Sequence, residues 1–408
     1  MIISEKRSKI NYYSFLWHAV FLALASNFMD VDTIIPAMLI KAGGNSVHLG
    51  ILTAIMLGGA SVFQLLFAPL LSKSHRKKSH LLAGINLRIV SLFAMALMFI
   101  YSGKLYPGVI IALIFILISI FSISGSYANV SYIDIIGKSI KQESRKKFFS
   151  IKQVITSIGI LLSAFLVREL IKKYDYPVNY SILFFIAGTL LLIASLGFWN
   201  LKEPRSKDVI KKSIVDFFKM IPGEIKKNPN LKYYLLIINT AGLGVGFTPF
   251  LILLSKSTFG VTASFIGNIL VLKVTGMLLA GSVLYKLSRK FSYKQILIFD
   301  VILGAIIPVL ALLLRHNEFY FQFIFILSGI FVSLIKIANS GILLEISENQ
   351  NRTIYAGIAG AGKIFSTVFP LLSGILIFYL GFTLVFIMIS ALILISIFPV
   401  LKLNCKQS

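Results

Sequence analysis

Ala68-Pro-Leu-Leu-Ser-Lys-Ser-His-Arg-Lys77 and Gly281-Ser-Val-Leu-Tyr-Lys-Leu-Ser-Arg-Lys290 are two short basic loops that stand 213 positions apart. At that one offset Leu71 matches Leu284, Lys73 matches Lys286, Arg76 matches Arg289 and Lys77 matches Lys290. Pro36 and Pro249 keep the same spacing, and Ala128-Asn129 returns as Ala338-Asn339 at an offset of 210. Outward from each loop the chain is almost continuously apolar, in blocks of about 20 to 28 residues, each long enough to cross a hydrocarbon core of roughly 30 Å. Twelve such blocks are legible: 14–38, 48–71, 81–102, 106–133, 150–168, 179–200, 232–255, 262–284, 294–314, 319–342, 353–379 and 382–401. They are numbered spans 1 to 12, and the two basic loops follow spans 2 and 8.

The whole chain has 408 residues, 57% of them hydrophobic and only 13% charged. A soluble domain keeps roughly a quarter of its residues charged, so this composition fits a membrane interior. The spans must be helices, because a backbone in lipid has to satisfy its own hydrogen bonds and the blocks lack the alternation of a barrel strand. Span 1 exceeds a signal-peptide core, lacks a small-residue cleavage site and carries Asp30 and Asp32, so it is expected to stay in place. The net charge of +25 does not mark a nucleic-acid partner. Of 40 Lys and Arg, 29 fall in or beside alternate loops and the termini, against 7 in the other loops. That is the positive-inside pattern, and it places both termini on the cytoplasmic side of the cell's inner membrane. The lone Cys405 excludes a disulfide framework or a Cys-based metal site, and no cofactor is implied.

Residues 201–231 form the one long charged linker. In it Ile210, Ile214, Phe217, Phe218 and Ile221 recur at helical spacing opposite Lys211, Lys212, Asp216 and Lys219, as in a helix lying on the inner leaflet. The expected organisation is therefore a bundle over 1–200, a linker with an amphipathic helix over 201–231, and a second bundle with a short tail over 232–408. The expected fold is an all-α membrane protein of twelve transmembrane helices in two pseudo-symmetric six-helix bundles. Internal duplication of this kind is how many secondary transporters are built.

The layout resembles the major facilitator superfamily. The family's loop after span 2 runs Gly-x-Leu-Ala-Asp-Arg-x-Gly-Arg-Arg or Lys, and Leu70, Lys73, Arg76 and Lys77 fit it. Ala68, Ser72 and His75 depart from it, and Ser72 replaces the carboxylate that in the family helps latch the bundles. Beyond span 4, Asp134, Glu143, Arg145, Lys146 and Lys147 are similar to the family's inner-loop pattern, with Glu345 and Arg352 in the second half and Lys286, Arg289 and Lys290 in the repeated loop. The resemblance implies a central cavity lined by spans 1, 4, 7 and 10 and alternating access. The Gly-Pro signature of proton-coupled drug exporters is absent from span 5, and the sugar-porter signature is absent after span 6.

Ionisable groups within spans cost roughly 2.5–3.5 kcal/mol each on insertion scales, so each needs a reason. Asp30 and Asp32 lie in the outer third of span 1. On a continuous helix they would point about 200° apart, so one is the candidate proton or cation site. Lys273 and Lys363 each lie about ten residues into spans 8 and 11, where they either attract an anionic substrate or pair with a carboxylate such as Asp30 or Asp32. Lys336 sits nearer an inner end, while Arg88 and Asp300 in spans 3 and 9 read as structural. Asn27 and Asn239 are candidate substrate contacts, with interhelical hydrogen bonds as the alternative. Gly242-x-Gly-x-Gly246, with Pro249, reads as a softened span 7.

Gly357-Ile-Ala-Gly-Ala-Gly362-Lys363 begins like a phosphate loop, but Ile364 follows where Ser or Thr is required and no strand precedes it. The five His show no metal-ligand spacing, and no catalytic set appears. The expected function is a secondary active transporter of a small solute, with a proton as candidate coupling ion and an organic anion as candidate cargo, working as a monomer. The rivals are a proton-coupled multidrug exporter and a membrane-embedded enzyme acting on lipid-linked substrates, the latter disfavoured by inner loops that are basic rather than rich in carboxylates.

Overall fold

The computed structural model describes residues 5–72, 74–140, 142–204, 214–287, 290–347, 355, 358–360 and 362–404. Among them there is no strand, and ten segments are long and apolar enough to cross a membrane. The last of these, Ile358–Lys402, is 45 residues long. It is broken at Gly381, whose φ of 77° is left-handed and closed to most side chains, so it divides where spans 11 and 12 meet. Span 2 is the 27-residue helix Ser46–Ser72. The protein is an all-helical membrane protein whose helices accord with twelve crossings.

Several helices overrun the expected blocks. Span 4 is the helix Pro107–Ser139 and span 5 the helix Gln142–Lys173. The basic segment between them is thus mostly helical, because Lys, Arg, Gln and Glu are good helix formers even where apolar residues stop. In the linker, helix Ile214–Lys227 is present, whereas Ile210, Lys211 and Lys212 lie outside the described residues.

Spans 1 and 7 are interrupted at repeat-equivalent places. Span 1 runs Glu5–Ser26, a 3₁₀ turn Asn27–Met29, a non-helical stretch, and Ile34–Lys41. Span 7 runs Pro229–Thr240, a 3₁₀ stretch Ala241–Gly246, and Thr248–Thr258. Pro36 and Pro249 each sit in the first turn of the later helical piece. There the missing N–H costs nothing, but the ring forbids a regular helix upstream.

Contacts divide the chain into two compact units: Met1–Asp30 with Lys41–Gly43 and Gly59–Ile214, and Val31–Ile40 with Gly44–Gly58 and Val215–Ser408. In the first, span 3 (Lys78–Ile100) packs on spans 4 and 6, and span 1 packs on spans 5 and 6. In the second, span 9 (Tyr293–Leu314) packs on span 10 (Ile324–Ile346) and on the helix Ile364–Ile395. Span 8 (Ala263–Leu287) packs on span 10. Val31–Ile40 of span 1 and Gly44–Gly58 of span 2 belong to the second unit, where Gly50 meets the carbonyl of Pro370 and Gly374 meets that of Ser46.

Candidate functional site

Lys273 lies in the middle of the span 8 helix, and its backbone is held by close approach to span 10. Gly329 lies against the carbonyl of Lys273 and Gly276 against that of Ile326, at separations a Cβ would not permit. Such small-residue crossings bring membrane helices together in the absence of a hydrophobic drive. The ammonium donates to Asp32 Oδ2 at 2.5 Å, and the two side chains are only 3% and 11% exposed.

Asp32 reaches Lys273 because its segment is not helical. The 3₁₀ turn ends at Asp30 in an extended conformation, and residues 31–33 form turns. The angle between Asp30 and Asp32 expected of a continuous helix therefore does not apply. Asp30 falls at the end of the first unit and is half-buried, while Asp32 opens the second and is buried. The pair settles which carboxylate Lys273 meets. Two charges that would each be costly in lipid offset one another in this contact.

Asn27 and Asn239 use their side-chain amides to join spans, and Asn239 also serves the backbone at a helix break. Asn27 Nδ2 donates to the Ile160 carbonyl at 2.5 Å and to Ser163 Oγ at 2.9 Å, tying the break in span 1 to span 5. Asn239 Nδ2 donates to the carbonyls of Leu235 and Gly362 at 2.8 and 2.5 Å. Its Oδ1 accepts from the N–H groups of Phe365 and Ser366 at 3.0 and 3.3 Å. A side chain on span 7 thus caps a helix of span 11, doing the work an N-cap residue does within its own chain segment.

Lys363 departs from expectation. It is not ten residues inside a continuous helix but the exposed N-cap of Ile364–Ile395, directly after a turn at Gly362. Gly357, Gly360 and Gly362 lower the helix propensity of that stretch by about 1 kcal/mol each, enough to favour a break. Asp300 in span 9 is fully buried, and neither carboxyl oxygen has a hydrogen-bond partner among the described residues.

At the other end of the first unit, Lys77 pairs with Asp134 at 2.9 Å and Lys138 pairs with both Asp134 and Glu203 at 2.8 Å. Glu203 also accepts the backbone N–H groups of Lys77 and Lys78 at 2.7 and 2.8 Å, so it caps span 3. Sequence reasoning named Lys77 and Asp134 but missed Glu203. The available signal was a lone carboxylate just after span 6, ahead of Pro204. Arg76 and Lys290 are exposed. Glu345 Oε2 is buried with no hydrogen-bond partner among the described residues. Lys73, Arg289 and Arg352 lie outside the described residues, as do the side chains of Ser72, Arg145 and Lys286.

A family model, Major Facilitator Superfamily, matches residues 20–256 and 235–404. The chain belongs to the Major Facilitator Superfamily. As a superfamily member it is a multi-pass membrane transporter of the secondary type and not an enzyme, which removes the lipid-linked-substrate alternative. Solved superfamily structures share its fold at low identity. The nucleoside transporter NupG is 13% identical with a TM-score of 0.67, covering 96% of this chain and 98% of that one. A POT family transporter in complex with 5-aminolevulinic acid is 13% identical with a TM-score of 0.66, covering 95% of each chain. A bacterial homolog of the human lysosomal transporter Spinster, inward-facing and unoccupied, is 11% identical with a TM-score of 0.64, covering 100% of each chain. No curated protein matches the sequence.

Proposed function

We propose that the protein moves a small organic anion by proton-coupled alternating access, as a monomer in the cytoplasmic membrane with both termini inside. In this reading the bundles over 1–200 and 232–408 rock about a shared centre, joined by the 201–231 linker. The observation that carries it is the buried Asp32–Lys273 pair, which fastens the outer piece of span 1 to span 8. Such a pair is stable while shut, and the outer side opens only when it parts. A proton taken up by Asp32 removes one of the two charges and releases the latch, which couples proton entry to opening. Asp30, at the edge of the same break, is the alternative proton carrier. Lys363 stands exposed at its helix break.

The test is uptake of phenylphosphate into proteoliposomes under an imposed pH gradient. Uptake that collapses with a protonophore in the wild type and persists unchanged by it in Asp32→Asn supports the coupling. Gradient dependence retained in Asp32→Asn and lost in Asp30→Asn moves the role to Asp30, and dependence retained in both removes proton coupling from this segment.

A further inference from the structure

We infer that His18, Arg88 and Lys152 form an anion-binding site inside the first unit, fitted to a small organic anion with an apolar body. The three side chains line one cavity of about 390 Å³ among spans 1, 3, 4, 5 and 6. No Asp or Glu lines it. Among the described residues none of the three takes part in an ion pair.

Arg88 is the central group. Its Nε is buried and has no hydrogen-bond partner among the described residues, and its guanidinium carbon lies 4.2 Å from the centre of the Phe121 ring. Gly125 gives it room, since a Cβ there would stand 3.4 Å from Nε. Lys152 Nζ donates to Tyr132 Oη at 2.9 Å, which leaves ammonium protons for a second acceptor. His18 is buried and stacked on Phe198 with ring centres 4.3 Å apart.

A packing role for Arg88 would end in a carboxylate or a set of carbonyl acceptors, as buried arginines do, and among the described residues it has neither. Arg88 and Lys152, held in one apolar-walled cavity, repel one another and lose hydration, and the Phe121 ring face and Tyr132 hydroxyl offset only part of that loss. An anion supplies the compensation. A guanidinium fork binds carboxylate or phosphate oxygens in pairs, and an ammonium adds a point charge. The remaining wall, including Leu22, Ile85 and Ile160, takes an apolar body. That the anion is cargo rests on the transporter reading above, whereas the binding itself does not.

The experiment is thermal unfolding of the purified full chain titrated with benzoate and with phenylphosphate, using benzyl alcohol as the uncharged control. Saturable stabilisation by an organic anion and none by benzyl alcohol is expected. Arg88→Gln is expected to weaken the apparent affinity at least about tenfold, Lys152→Gln to weaken it less, and Arg88→Lys to keep part of it. Stabilisation of equal affinity in the wild type and both Gln variants overturns the site, as does the lack of stabilisation by either anion. Should Arg88→Gln fail to fold, Lys152→Gln decides alone by the same criterion. Anion binding without uptake contradicts the transport reading only, and uptake of other solutes without anion binding contradicts this site only.

Discussion

Lys273 Nζ and Asp32 Oδ2 lie 2.5 Å apart in a buried contact that joins residues 241 positions apart in the chain. The contact needs two departures from ordinary helix geometry. Span 1 must leave the helix at residues 30–33 to aim Asp32, and span 8 must press against span 10 through Gly276 and Gly329 to seat Lys273. Because the two opposite charges meet in a buried contact, the pair is expected to behave as a unit. Asp32→Asn and Lys273→Met should each lower the thermal stability of the detergent-solubilised protein. The double variant should lose less than the sum, by a coupling of about 1–3 kcal/mol. Additive losses would show that the two groups do not depend on each other.

Asn239→Ala should destabilise the protein by roughly 1–3 kcal/mol. It strips the Gly362 carbonyl and the Phe365 and Ser366 N–H groups of their partner inside a membrane segment. Asn239→Asp keeps the acceptor and loses the donor, so it should fall between wild type and Asn239→Ala in a melting series. A neutral Asn239→Ala would mean that the break in span 11 is satisfied in some other way.

In the network of Lys77, Lys138, Asp134 and Glu203 the two carboxylates are not equivalent. The Glu203 side chain is 3% exposed and that of Asp134 is 34% exposed. Glu203→Gln leaves Lys138 without its buried partner and weakens the cap on span 3. Its expected cost is about 3 kcal/mol, against about 1 kcal/mol or less for the half-solvated Asp134→Asn. Chemical denaturation of the two variants side by side checks the order, and a larger loss for Asp134→Asn would reverse this assignment.

The spans were legible because hydrocarbon thickness writes itself into the sequence as long apolar runs. The depth of Lys273 followed from counting along one of them. Gly381 marks the turn between the last two spans where the apolar run thins between residues 379 and 382. The partner of Lys273 was narrowed to two aspartates but not chosen, because the choice depends on the non-helical path of residues 30–33. Helical phase was the wrong guide there, and the presence of Pro36 was the warning. Asn239 could be read as a substrate contact or as a structural bond, since an amide serves equally well for either. Only its placement beside the break at Gly362 shows that its groups are already used. Arg88 reads as structural on its position in an outer span, whereas the proposed anion site uses the cavity that its side chain lines together with residues of spans 1 and 5. Glu203 was hidden by its company, one of four carboxylates in a linker dominated by basic residues.

The latch is tested most directly by accessibility. Leu39 is fully buried in the outer piece of span 1, and with the single native thiol removed by Cys405→Ser, Leu39→Cys becomes the sole reporter. Labelling by a membrane-impermeant maleimide added outside should be slow in this background. It should be at least about tenfold faster with Asp32→Asn or Lys273→Met, the equivalent of about 1.4 kcal/mol in the opening equilibrium. It should be slow again in the charge-swapped Asp32→Lys, Lys273→Asp protein. Labelling rates that stay the same when either charge is removed would contradict the account.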